Sequence, residues 1–376
     1  MTSSKPNKQS LKSHPDAVRA LLAARTPILD VRAETEFEQG ALPNSVNLPI
    51  LNDAERARVG ITYKQQGQQA AEKVGHRLVS GETRQARVDA WTTFVKQNSA
   101  TVVTCWRGGR RSQLAQTWIG EAGLELDRVP GGYQSLRRSC LDILSKDAQS
   151  KRWLVLAGKT GTAKTVRINQ VQGSIDLEGL ANHRGSAFGN HLTPQPSPAT
   201  FENHLACAFL TLDSPSLLVE DESRTIGRLA LPETWHTQMQ TASLVQIDET
   251  DDFRIAHIEQ EYITEPLASG VSQEGLQHQY QSALDRIARR LGGINHKEIT
   301  RLLAQAFAGD RAHSDWIEAL LSKYYDPMYE FQLKKKQERV IMSGHHQEVL
   351  AYLSDLGHAR ARDHGHAGEQ EFRHPD

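Results

Sequence analysis

Hydrophobic positions along this chain follow two periods. Two short β-branched runs, TPILDV (26–31) and TVVTC (101–105), are closed by polar turns and predict buried strands. Around them apolar residues recur at helical spacing: Leu21 and Leu22 before the first run, Trp91, Phe94 and Val95 before the second, and SQLAQTWIGEAG after it. ALPNSVNLPI (41–50) is turn-rich and extended, and an Arg- and Gln-rich segment, 53–88, has a helical pattern with a glycine break around Gly81. PGGY (130–133) marks a turn, and a helix follows to about residue 149. Near residue 150 the pattern restarts: KRWLVLAGKTGTAKTVRINQ reads as strand, glycine loop and helix, ATFENHLACAFLTL as a helical stripe, and PSLLVEDE as an apolar strand ending in acids. From about residue 270 onward Leu and Ala repeat every three to four positions, in SALDRIARRL, EITRLLAQAF and WIEALLSKYY, and predict helices.

Alternating strands and helices of this kind predict parallel-sheet α/β architecture, here twice over. The boundaries expected are a polar, disordered N-terminus over 1–15, a first α/β domain over 16–140, a second over 150–270, a helical region over 271–356 and a disordered polar tail over 357–376. A formal net charge of −1 supplies no global field for nucleic acid or membrane, so any anion-binding surface has to be local. Three widely spaced cysteines, Cys105, Cys140 and Cys207, argue against a disulfide framework and for a reducing compartment. The first residues carry no apolar signal-peptide core and no run is long enough to cross a bilayer, so the expected location is cytoplasmic, without a membrane partner.

Two stretches carry chemistry. In CWRGGRR a cysteine ends a strand, precedes a helix, and is followed at once by Arg107, Arg110 and Arg111. Thiolates are stabilised by helix N-termini and cations, and Gly108 and Gly109 let successive backbone N–H groups turn inward as an anion nest. Cys105 is therefore a candidate nucleophile or carrier; the alternative is a structural cysteine buried at a strand end. Cys140 and Cys207, within helical segments, read as structural. Trp106 suits stacking on a ligand or packing the loop equally well.

The second stretch, GKTGTAKT (158–165), fits the phosphate-loop template G-x-x-x-x-G-K-[ST], with Ala163 in place of the second glycine. That replacement is tolerable if the backbone there keeps a negative φ. Gly158, Gly161, Thr162 and Ala163 would wrap a diphosphate, Lys164 would neutralise it, and Thr165 would reach a magnesium ion together with Asp221, or Glu220 as second choice. DLEGLANHRGSAFG (176–189), poor in core signal, predicts an active-site lip carrying His183, Arg184 and Ser186. Lys334, Lys335 and Lys336, in YYDPMYEFQLKKKQER, form the one strong local basic run, a candidate phosphate-contacting surface or a solvated helix face.

The landmarks ILDVRAETEFEQGALPNSVNLP, CWRGGR and VPGGYQSLR resemble a rhodanese domain over about 16–140. That resemblance implies a persulfide-type carrier at Cys105, with the loop 106–110 as its cradle and Asp30 and Arg32 in structural roles. Joined in this order to the phosphate loop, and to DLEGLANHRGSAFG, VEDESRTIG and YYDPMYEFQLKKK, the chain resembles the bacterial tRNA 2-selenouridine synthase family over about 16–350. The fold implied is a rhodanese-like parallel-sheet domain followed by a P-loop NTPase-like α/β domain with a helical C-terminal region.

The activity that resemblance implies is alkylation of wobble 2-thiouridine in the tRNAs for lysine, glutamate and glutamine by geranyl diphosphate, then exchange of the S-geranyl group for selenium from selenophosphate. Cys105 would be an S-selanylcysteine carrier, with Arg107 and Arg110 holding selenophosphate. No tightly bound cofactor is expected beyond a magnesium ion, and a selenophosphate-producing enzyme is the natural supplying partner. The competing reading is an ATP-dependent tRNA-thiolating or kinase-like enzyme with a sulfur-carrying rhodanese domain.

Overall fold

The computed structural model describes residues 15–365, with side chains described to residue 356. The expected disordered terminus 1–15 falls, but for Pro15, outside the described residues. Of the expected tail, 357–365 continues the last helix, His346–Gly365, and the rest lies outside them.

The described chain forms two compact units, residues 15–147 with 196–211, and 148–195 with 212–365. In the first, β1 (Ile28–Asp30), β2 (Ser45–Asn47), β3 (Val102–Thr104) and β4 (Asp127–Arg128) make a parallel sheet of order β2-β1-β3-β4, with Leu29 paired to both Val46 and Val103. Both strands predicted from β-branched runs are central, which is why their residues are buried on both faces. Helices Gly81–Gln97 and Arg110–Glu121 bring Trp91, Ala115 and Ile119 onto the sheet, and all three are fully buried.

One boundary moves. Helix Pro198–Leu210, expected within the second domain, packs in the first unit. Ser197 caps it, accepting from Thr200 N at 3.2 Å, and donates to Gln39 O at 3.0 Å. Asn203, fully buried, accepts from Arg137 at 3.0 Å and donates to Ala41 O at 2.9 Å and to the Tyr133 hydroxyl at 3.2 Å. Polar hydrogen bonds across 60 and more positions make this assignment, and local periodicity carries no trace of them.

In the second unit β5 (Arg152–Gly158), β6 (Ser216–Glu220), β9 (Ser243–Ile247) and β10 (Val340–Gly344) form a parallel sheet of order β10-β9-β5-β6. Between β6 and β9 a small hairpin pairs β7 (Thr225–Ile226) with β8 (Leu229–Ala230). The chain runs outward from β5 to β6 and returns to β9 on the other side of β5, so the carboxyl end of β5 is a topological switch point, where α/β sheets bind ligands. The helical region expected over 271–356 is interrupted by β10 and folds with the P-loop sheet as one unit. Its helices share a core built on Tyr280, Leu284, Trp316 and Phe307.

Candidate active sites in the two units

In the first unit the cysteine loop is clamped by the turn that follows β4. Tyr133 N donates to Cys105 O at 2.8 Å and Gln134 N to Trp106 O at 3.1 Å. A Cβ on Gly132 would lie 2.3 Å from Cys105 O and one on Gly108 2.8 Å from Val129 O, so the two backbones touch where side chains cannot fit. Cys105 is 3 % exposed, and its Sγ donates to Ser112 Oγ at 3.3 Å in the first turn of helix Arg110–Glu121.

The expected arginine cradle is redistributed. Arg107 and Arg110 are exposed, and Arg110 sits 3.7 Å from Glu72. Arg111 is the arginine within electrostatic reach of Cys105, and it is paired with Glu36. Burial opposes ionisation of Glu36, but Arg111, and Arg56 at 3.0 Å, outweigh it and hold the carboxyl below its usual range.

Asp30 and Arg32 brace the loop from below. Buried Arg32 bonds Asp30 at 2.9 Å, Glu36 O at 2.9 Å and Gly40 O at 2.7 Å, and lies 3.8 Å from the Tyr133 ring centroid. Burial pushes the Asp30 carboxyl up despite Arg32. Trp106 packs against Tyr133, centroids 5.6 Å apart, and also borders a cavity of about 1110 Å³ beside the loop.

In the second unit the phosphate loop follows β5. Its backbone is pressed onto neighbours at Gly161, φ +87°, where a Cβ would meet Arg254 O at 2.8 Å. Arg254, 1 % exposed, donates to Thr160 O at 2.9 Å and pairs with Asp326, fixing the loop to two helices. Ala163 departs from expectation: its φ is +58° and its ψ 34°, the left-handed conformation in which an L-residue is strained. The methyl is accommodated by strain, not by a negative φ. Lys164 Nζ donates to Gly158 O at 2.8 Å; burial opposes its charge, but Tyr329, Glu178, Glu222 and Asp221 hold its pKa up.

The acids are arranged differently from the expected set. Asp221 accepts both its contacts from Lys336, at 2.7 Å each, so Lys336 also leaves the solvated basic run. Thr165 Oγ1 donates instead to Glu178 at 2.7 Å. Glu222 lies against Glu178, and burial, then the Glu178 charge, pushes its carboxyl well above the usual range. Glu220 is buried and accepts from Leu177 N at 2.9 Å.

Among the described residues no group of three or more His, Cys, Asp or Glu has metal-holding geometry. Magnesium, however, takes one or two carboxylates and fills its remaining positions with water and substrate phosphate. The crowded oxygens of Glu178 and Glu222 beside the Thr165 hydroxyl fit that donor set; Asp221, occupied by Lys336, does not.

His183, Arg184 and Ser186 line the same cavity as the phosphate loop, about 830 Å³ in volume. Arg184 pairs with Glu261 at 2.7 Å and covers the Tyr262 ring, and burial pushes His183 toward its neutral form. Lys334 and Lys335 are exposed, Lys335 stacking over Phe331. Residues that the motifs did not single out complete the cavity: Glu178, Glu222, Tyr262, Tyr329, Arg286 and Arg290.

A thiol loop of rhodanese geometry and a phosphate loop at a sheet switch point define a two-domain transferase class. Residues 14–138 match the family model for the rhodanese-like domain and residues 151–359 the model for the tRNA 2-selenouridine synthase AAA domain. A tRNA 2-selenouridine synthase of Shewanella denitrificans is 42% identical over 353 residues, covering 90% of this chain and 96% of its own. One from Marinobacter nauticus is 43% identical over 334 residues, covering 85% of this chain and 91% of its own. The chain belongs to the tRNA 2-selenouridine synthase family, transferases that act on tRNA. No helix among the described residues is long and apolar enough to cross a membrane.

Proposed function

We propose that the protein converts 2-thiouridine at the wobble position of the lysine, glutamate and glutamine tRNAs to 2-selenouridine through S-geranyl-2-thiouridine. What supports this reading most is the phosphate-loop cavity, where a diphosphate nest stands beside Ile258, Tyr262, Tyr325 and Met328, a wall suited to an isoprenoid chain.

In the first step the thiouridine sulfur attacks C1 of geranyl diphosphate. The C–S bond forms, the C–O bond breaks, diphosphate departs and the N3 proton passes to solvent. The loop N–H groups and Lys164 stabilise the departing charge. A magnesium ion on Thr165, Glu178 and Glu222 would add further neutralisation of that diphosphate.

In the second step selenium bonds to C2, the C2–S bond breaks, geranylthiol leaves, and water takes the phosphoryl group of selenophosphate. Cys105 is the carrier that presents selenium to the base, and Arg107, Arg110 and Arg111 hold the oxyanion at the loop. An S–Se bond on Cys105 lies two electrons above thiol plus selenide. Loading therefore consumes a disulfide-class oxidant and release a thiol-class reductant, with no net change.

Purified protein given 2-thiouridine tRNA and geranyl diphosphate, then selenophosphate, is expected to yield S-geranyl-2-thiouridine and then 2-selenouridine by nucleoside mass spectrometry. Absence of the geranylated nucleoside, or nucleotide hydrolysis stimulated by tRNA in its place, would overturn the reading.

A further inference from the structure

Residues 53–78 form a helical segment whose purpose neither loop explains. It is broken at Gly67, φ 81° and ψ −177°. A Cβ on Gly75 would lie 3.8 Å from Val59 Cγ2, so the two halves fold back on each other as a hairpin. The first half is tied down by Arg56 to Glu36, the residue that holds Arg111, and the second by Glu72 to Arg110. The hairpin thus sits against the Cys105 loop, held through Glu36, which joins Arg56 to Arg111, and through Arg110.

Beside it lies the cavity of about 1110 Å³, slightly above the usual range for small-molecule ligands. Its wall is more apolar than polar, with Ile50, Val59, Ala71, Leu114 and Trp118 beside Lys64 and His76. Arg107, Arg110 and Arg111 line it too, the last two beside Glu72 and Glu36. The apolar stretch of wall offers hydrogen-bonding groups no partners, while the exposed Arg107 attracts an anion attached to the hydrocarbon. The occupant that satisfies both is a prenyl chain borne by a nucleotide: the chain goes inside and the phosphates stay at the rim.

Resting on the reading above, we propose that this cavity holds the geranyl chain of S-geranyl-2-thiouridine during the selenium step. It places the C2–S bond next to the Cys105 loop and retains geranylthiol as it leaves. The phosphate-loop cavity serves the prenyl donor, and this one serves the prenylated base.

The test uses full-length protein and chemically prepared tRNA bearing S-methyl, S-dimethylallyl or S-geranyl-2-thiouridine, with selenophosphate and without geranyl diphosphate. Wild type is expected to form 2-selenouridine from the S-geranyl substrate with kcat/KM at least tenfold above the S-methyl one. Ala71→Phe, which fills the cavity, should reverse that order in favour of the shorter chains, and Val59→Phe, from the other half of the hairpin, should do the same. Equal use of all three chains by wild type, or an unchanged order in both variants, overturns the proposal. Failure of the underlying reading looks different: no substrate is selenated by any form of the protein.

Discussion

Burial and the neighbouring Glu178 both penalise the ionised form of Glu222 and hold its carboxyl well above the usual range. An acid whose folded-state pKa is raised stabilises the fold while neutral, and that contribution disappears as pH rises through the elevated value. The same ionisation sets a negative charge beside the diphosphate nest. In metal-free buffer, calorimetric affinity for geranyl diphosphate should therefore fall roughly tenfold as pH rises through that value. Glu222→Gln should flatten the profile, and an unchanged fall in that variant would assign the dependence elsewhere. The phosphate loop was legible as a string of residue types, but the left-handed Ala163 was not, since a template carries no backbone angles. Asp221, just past the tip of β6, lines the cavity with Glu178 and Glu222, and its pairing with Lys336 had no local signal because the partner lies 115 positions away.

Elements were legible where their periods were local. The strands β1, β3, β5 and β6 follow from apolar runs, and the turn after β4 follows from the glycines of PGGY. Three features were not. The helix break within 53–78 falls at Gly67, inside an unbroken polar pattern, and β10 is five residues long, one short turn after a helix rich in lysine. Helix Pro198–Leu210 belongs to the first unit through Asn203, whose partners are remote in sequence. Asn203→Ala would remove a buried hydrogen bond from each of Ala41 O, the Tyr133 hydroxyl and Arg137, which keeps Glu202, at a cost of about 2–3 kcal/mol. Urea unfolding followed by tryptophan fluorescence should show that loss of stability; a change below about 0.5 kcal/mol, the size of an ordinary surface substitution, would remove Asn203 as the anchor of the helix.

For the whole molecule, tRNA binding has to come from local charge, because the net charge is −1. Of the lysine run, Lys336 is held by Asp221, which leaves Lys334 and Lys335 exposed for phosphate. Replacing both with alanine should weaken tRNA binding and lower the slope of log affinity against log salt by roughly 1.5, the loss of two phosphate contacts. An unchanged slope would take this helix out of the interface.

The central claim is a division of labour, with alkylation at the phosphate loop and selenium delivery at Cys105. Nucleoside mass spectrometry of tRNA treated with Cys105→Ser and, separately, with Lys164→Ala tests it most directly. Cys105→Ser should stop at S-geranyl-2-thiouridine. Lys164→Ala should leave 2-thiouridine untouched yet still selenate tRNA supplied already geranylated. Appearance of 2-selenouridine with Cys105→Ser, or geranylation at the wild-type rate with Lys164→Ala, would contradict the account.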